Sequence, residues 1–141
     1  EIVRVKQIVM ERPIQYQDNI ASTHEAGRFG ATEIGDEAQE VVLVVILDTK
    51  NKINAIHRVF TGSLNTSVAH PREIFRSALL NNGARILVYH NHPSGNTEPS
   101  EADLIFTKRM EEAGSVLGID LLDHIIVSGK EWLSLREYGI L

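Results

Sequence analysis

The sequence predicts an α/β fold in which a mixed β-sheet is flanked by helices, and three observations lead to it. Strand-like and helix-like segments alternate along the chain without internal repeats or low-complexity stretches. One run, Val41 to Leu47, is apolar at every position, which suits a central strand covered on both faces. Two later segments, opening at Pro71 and at Ser100, carry apolar residues at helical spacing and so offer one face to a sheet.

Taken in order, residues 1 to 12 set Ile2, Val3, Val5, Ile8 and Val9 among charges and stop at Pro13, the pattern of a strand at the sheet margin. A helix is expected from Asp18 to Phe29, with Ile20, Ala21 and His24 at helical spacing and Gly27, Gly30 and Gly35 limiting its length. After the run Val41 to Leu47, Asp48-Thr49-Lys50-Asn51 supplies turn chemistry, and Ile53 to Phe60 returns antiparallel to close a hairpin. Pro71 fits the first turn of a helix whose apolar face is Ile74, Phe75, Ala78 and Leu79, stopped by Asn81-Asn82-Gly83. Arg85 to Tyr89 reads as a buried strand ending at His90. The helix after Ser100 has Phe106, Met110, Ala113 and Leu117 on its inner stripe and ends at Gly118. Ile119 to Val127 is the last clear strand, Ser128-Gly129-Lys130 a turn, and the tail to Leu141 a short strand or helix.

Composition narrows the function. With 141 residues, 43% hydrophobic and 23% charged, the chain is expected to form one compact unit with a real core. No apolar run reaches the length of a membrane span and no leader precedes the first strand, so a cytoplasmic protein without membrane contacts is expected. The absence of cysteine excludes disulfides and thiolate-ligated zinc, so any metal must take N and O ligands. A net charge of −5 without a Lys/Arg cluster makes nucleic acid an unexpected partner for this chain alone. Because it begins at Glu1, the chain reads as part of a longer protein.

The chemistry lies between His90 and Asp103. A strand alternates its side chains with a period of two, so His90 and His92 leave the end of their strand on one face, while Asn91 points to the other. Pro93, Ser94, Gly95, Asn96 and Pro99 then describe a loop, and Ser100-x-x-Asp103 opens the next helix. Two imidazoles and one carboxylate with a position left for water are the ligand set of a catalytic zinc site. Taken alone, Ser100 and Asp103 are a capping box, and a histidine pair at a strand end can be simple polar decoration. The two roles are compatible if Ser100 caps while Asp103, freed from capping, turns to the metal. His124, beside Asp123, reads first as a buried hydrogen-bonded histidine, with orienting the site or serving as a fourth ligand as the alternative, and is left out of the ligand set. His24, His57 and His70 are assigned surface or capping roles.

The spacing His-x-His, seven residues, Ser, two residues, Asp resembles the JAMM motif of the JAB/MPN metallopeptidases. His-Asn-His-Pro-Ser-Gly followed by Pro-Ser-x-x-Asp resembles the bacterial RadC-type branch, whose members have been described as DNA repair proteins. Gly62, Val68 to Ile74, Thr107-Lys108-Arg109 and Asp123 to Val127 add to the likeness. It covers about residues 36 to 141, leaving 1 to 35 as an N-terminal strand and helix extension of the same compact unit. The resemblance implies the deaminase-like three-layer JAB/MPN fold and one Zn2+ per chain on His90, His92 and Asp103. It also implies a peptidase or isopeptidase reaction in which the metal lowers the pKa of bound water to about 7. A glutamate at the edge of the strand before the hairpin takes the proton; Glu40 fits that place, with Glu37 as competitor. Ser100 would donate to the oxyanion. The substrate is expected to be a peptide or isopeptide, though the segments flanking the motif are short for the insertions with which ubiquitin-removing relatives grip theirs. The alternative is a DNA repair accessory protein whose metal domain is structural or regulatory. Longer members carry a helix-hairpin-helix region for that purpose, and residues 1 to 35 show none.

Overall fold

The computed structural model describes residues 7–10, 19–61 and 70–141. The elements are α1 (Thr23–Ile34), β1 (Val41–Leu47), β2 (Ile53–Thr61), α2 (Pro71–Leu80), β3 (Arg85–Asn91), α3 (Glu101–Leu117), β4 (Asp120–Ser128) and β5 (Glu131–Ser134). The strands form one sheet in the order β2-β1-β3-β4-β5. β1 runs antiparallel to both β2 and β3, β3 is parallel to β4, and β5 returns antiparallel to β4, so the sheet is mixed.

Every residue of β1 is buried, as an apolar run with no polar face requires. Its two faces feed two cores. Val42, Val44 and Ile46 pack with Ile74 and Phe75 of α2 and Phe106 and Met110 of α3. Val41, Leu43, Val45 and Leu47 pack with Ala26, Phe29 and Ile34 of α1. The result is three layers, α1 on one side of the sheet and α2 with α3 on the other. α1 therefore belongs to the same packed core as the residues after 36.

Four expected elements differ. Of the N-terminal strand only residues 7–10 are described, and they form no strand; the remainder lies outside the described residues, as do residues 62–69 with Gly62 and Val68-Ala69. The first helix spans 23–34 where one from 18 to 29 is expected, Asp18 itself lying outside the described residues: Ser22 caps it by accepting from the Glu25 N–H at 3.1 Å, and Gly27 and Gly30 are buried contact points that let the helix approach the sheet. Two apolar faces are also rotated from expectation. Leu79 is exposed because Ser77 turns inward to meet His57 Nδ1 at 2.8 Å, centring the buried face of α2 on Ile74, Phe75 and Ala78. Leu117 is exposed because the inner stripe of α3 closes at Gly114, which sits directly against the Ile119 carbonyl; Gly118, at φ 73°, then turns the chain into β4.

β3 and β4 are parallel neighbours joined through α3, and such a crossover must bring the helix back over the sheet. It sets the N-terminus of α3 near the carboxyl end of β3, the usual position of ligand sites in α/β sheets. Among the described residues, no helix is long and apolar enough to cross a membrane.

Candidate metal centre

β3 delivers His90 on the α2/α3 face of the sheet, since His90 shares the parity of Val88 and Ile86 in that core. His90 is 2% exposed. His92 follows just past the strand, its N–H donating to Val127 O at 2.9 Å, and the two rings meet edge to face with centroids 4.9 Å apart. Asp103 is buried in the first turn of α3. Its Oδ2 lies 3.0 Å from His92 Nε2 and its Oδ1 3.4 Å from His90 Nδ1. One ligand atom from each of His90, His92 and Asp103 falls within 4.8 Å of the others, a group that could hold a metal ion.

Asp103 is not freed from capping. Its Oδ2 also accepts the Ser100 N–H at 2.9 Å, while Ser100 Oγ accepts the Asp103 N–H at 3.1 Å, a reciprocal capping box. One carboxylate serves the helix end and faces the histidines because it has four lone-pair positions to share. Burial works to raise its pKa, but the His90 and His92 rings and the Ser100 N–H outweigh burial and hold it far below the usual carboxylate range. The hydrogen bond to Asp103 raises His92 in turn, with the Asn96 carbonyl adding to it against burial. His92 Nδ1 lies 2.8 Å from Asn96 O, and a carbonyl only accepts, so Nδ1 carries the proton and Nε2 is turned towards Asp103.

The histidine at 90 differs from its neighbour: among the described residues neither ring nitrogen makes a hydrogen bond, although both are buried. Its Nε2 stands 3.7 Å from Glu40 Oε1, so the ring lies between the carboxylates of Glu40 and Asp103. Glu40 is partly exposed at the start of β1, sharing the parity of Val42, whose Cα is opposite His90. Glu37 is elsewhere, 2.8 Å from Arg58 Nη1 in a surface ion pair. Ser100 is exposed; having accepted one bond, its hydroxyl keeps a proton to donate.

Sequence reasoning missed two supports. Thr107, fully buried one turn after Asp103, donates its hydroxyl to Asp103 O at 2.7 Å and lies 2.6 Å from His124 Nδ1. His124 is buried, as expected, and burial with the nearby His90 depresses its pKa to about 3. It is neutral and donates from Nδ1 to Thr107, leaving Nε2 without a partner. The second support is Asn91, which points away from the histidines as expected but also binds the backbone around Glu40. Neither has a local motif; only the pairing of β3 with β1 and β4 brings their partners together. His70 caps α2 by accepting the Arg72 N–H at 3.1 Å, and His24 packs edge-on against Trp132.

A mixed sheet between helix layers, with a His-x-His pair at the end of one strand facing an aspartate in the following helix, defines a JAB-type α/β domain with a candidate metal site. Residues 20–140 match the family model of the RadC-like JAB domain, and the chain belongs to that family. It is 50% identical over 109 residues to a UPF0758 protein of Clostridium beijerinckii, covering 77% of this chain and 48% of that protein. A UPF0758 protein of Enterococcus faecalis is 49% identical over 118 residues, with 84% and 51% covered. One of Latilactobacillus sakei subsp. sakei is 44% identical over 122 residues, with 86% and 54% covered. The chain thus spans about half the length of the curated relatives it matches.

Proposed function

We propose that this domain is a zinc-dependent hydrolase that cleaves an amide bond in a peptide or isopeptide. The observation that carries the reading is His90. A buried polar atom without a hydrogen bond costs about 1–3 kcal/mol, and here both nitrogens of one ring stand at 3.4 Å and 3.7 Å from carboxylates without hydrogen-bond geometry among the described residues. A cation coordinated by one nitrogen of that ring, by His92 Nε2 and by Asp103 removes the cost at that nitrogen and leaves the other to the neighbouring carboxylate, and two imidazoles with one carboxylate suit zinc with a position left open. The bound ion would supply an acidified water and a Lewis acid for the scissile carbonyl.

The chain's own residues supply the rest. Asn96 fixes the His92 tautomer, and the capping box fixes the Asp103 carboxylate, so the ligands are oriented before the ion arrives. Glu40 is the general base: it is within reach of His90, open to solvent on one side, and free of the ion pair that occupies Glu37. It takes the proton of the attacking water and returns it to the leaving nitrogen. The Ser100 hydroxyl, beside the ligand carboxylate, donates to the oxyanion of the tetrahedral intermediate.

The test is metal analysis joined to a cleavage screen on mixed peptide and isopeptide libraries. We expect one zinc per chain, lost in a His90→Ala, His92→Ala double variant. Glu40→Gln should keep the zinc and lose about 100-fold or more of any cleavage found. Unchanged zinc in the double variant, or full activity in Glu40→Gln, would overturn the assignment.

A further inference from the structure

We infer that Asn91 is a positioning residue that holds Glu40 against the metal centre from the opposite face of the sheet; the inference rests on the role proposed above for Glu40. The antiparallel ladder between β1 and β3 ends at the pair Val42 and His90. The next rung would set Val41 against Asn91, and there the Asn91 side chain takes the place of the missing backbone rung. Its Oδ1 accepts the Val41 N–H at 2.6 Å. Its Nδ2 donates to Gln39 O at 3.0 Å and to Glu37 O at 3.2 Å.

Glu40 lies between the groups so bound. The peptide before it ends in the Gln39 carbonyl and the peptide after it in the Val41 N–H, so one side chain grips both peptide planes that set the Glu40 backbone. This matters because residues 35–40 have no regular secondary structure of their own to do so. The chemistry demands an asparagine: one acceptor and two donors on a short planar group. Aspartate has the size but no donors and would set a charge against two carbonyls. Leucine would leave three backbone groups unpaired, in a place where Asn91 itself is 1% exposed. The same residue thus separates two neighbours in sequence, His90 and His92 facing the metal centre and Asn91 fixing the carboxylate that faces it.

The test uses the cobalt(II)-loaded chain, whose visible absorption responds to the carboxylate beside the metal's open position. Wild type, Glu40→Gln, Asn91→Asp and the double variant are compared at one cobalt per chain. We expect Asn91→Asp to retain cobalt and to reproduce the spectral change of Glu40→Gln, with no further change in the double variant. An Asn91→Asp spectrum equal to wild type, where Glu40→Gln is altered, overturns the positioning role and leaves the Glu40 assignment standing. A Glu40→Gln spectrum equal to wild type removes both. If Asn91→Asp does not fold, amide exchange in the wild-type protein decides: the Val41 N–H should exchange about 100-fold or more slowly than the exposed turn at 48–51. Exchange at the rate of that turn would reject the clamp.

Discussion

Replacing Thr107 by valine tests the polar file beneath the candidate metal centre. Valine matches threonine in shape, so the change removes a hydroxyl and little else. Thr107 and His124 are both 0% exposed, and the hydroxyl is the acceptor for the His124 Nδ1 proton. Burial keeps that imidazole neutral, with a pKa of about 3, so it cannot escape by taking a second proton from solvent. Moving its one proton to Nε2 does not help, because Nε2 has no partner either. One buried N–H is therefore unpaired in either tautomer, at about 1–3 kcal/mol. The backbone N–H of residue 107 remains to bond the Asp103 carbonyl, so no second loss of that size follows. We expect Thr107→Val to destabilise by about 2 kcal/mol. The assay is chemical denaturation of the metal-free protein, with the midpoint falling and the slope unchanged. A second variant, His124→Leu, completes a double-mutant cycle: with both polar partners gone the penalty should shrink, giving a coupling of at least about 1 kcal/mol. A Thr107→Val midpoint equivalent to a loss under about 0.5 kcal/mol, or zero coupling, would refute the tautomer argument.

Two further outcomes follow from the same geometry. Gly30→Ala would drive a Cβ into the ring of Tyr89, which is fully buried and anchored by its hydroxyl to Ala26 O at 2.7 Å, so a loss of about 1–3 kcal/mol is expected and an unchanged denaturation midpoint would contradict the close approach of α1 to β3. Zinc affinity should rise with pH through the raised range of His92, above 6.5, because a ligand imidazole must first lose the proton that its hydrogen bond to Asp103 stabilises; calorimetry in buffers of different ionisation heat should find proton release, and a flat affinity from about pH 5 to 8 would count against it. In the metal-free protein the sign is opposite for the two partners. The raised His92 contributes stability that is full below 6.5 and lost as pH rises through its folded value, while the depressed Asp103 contributes stability present above 3.8 and lost as pH falls, so the pair stabilises most between those values.

The parts of the molecule that sequence patterns expose are those where one residue's environment repeats along the chain. Val41 to Leu47 needs no partner to be read as a doubly covered strand, and Pro71 marks the start of α2 by its own covalent constraint. The triad was legible for the same local reason: fourteen consecutive residues hold both imidazoles and the carboxylate. Glu40 against Glu37 was a different question, because it depends on strand register, and register is set by pairing across the sheet. Only the opposition of Val42 and His90 puts Glu40 on the His90 face of the sheet while Arg58 draws Glu37 to the surface.

Helical periodicity failed where polar residues occupy the buried stripe. In α3 that stripe runs Asp103, Phe106, Thr107, Met110 and Gly114, and a search for apolar repeats passes over the two polar members and extends the line to Leu117 instead. Yet a buried carboxylate and a buried hydroxyl cannot stand alone, since each must find partners or cost more than the packing around it returns. The sheet has to supply those partners at the same height, and it does so with His90 and His92 facing Asp103 and with His124 facing Thr107. The interruption of the apolar stripe and the histidines on strands β3 and β4 are thus two sides of one requirement. Reading the break in α3 as a demand for polar partners, and not as the end of the helix face, is what would have drawn Thr107 into the site and joined it to His124 from sequence alone.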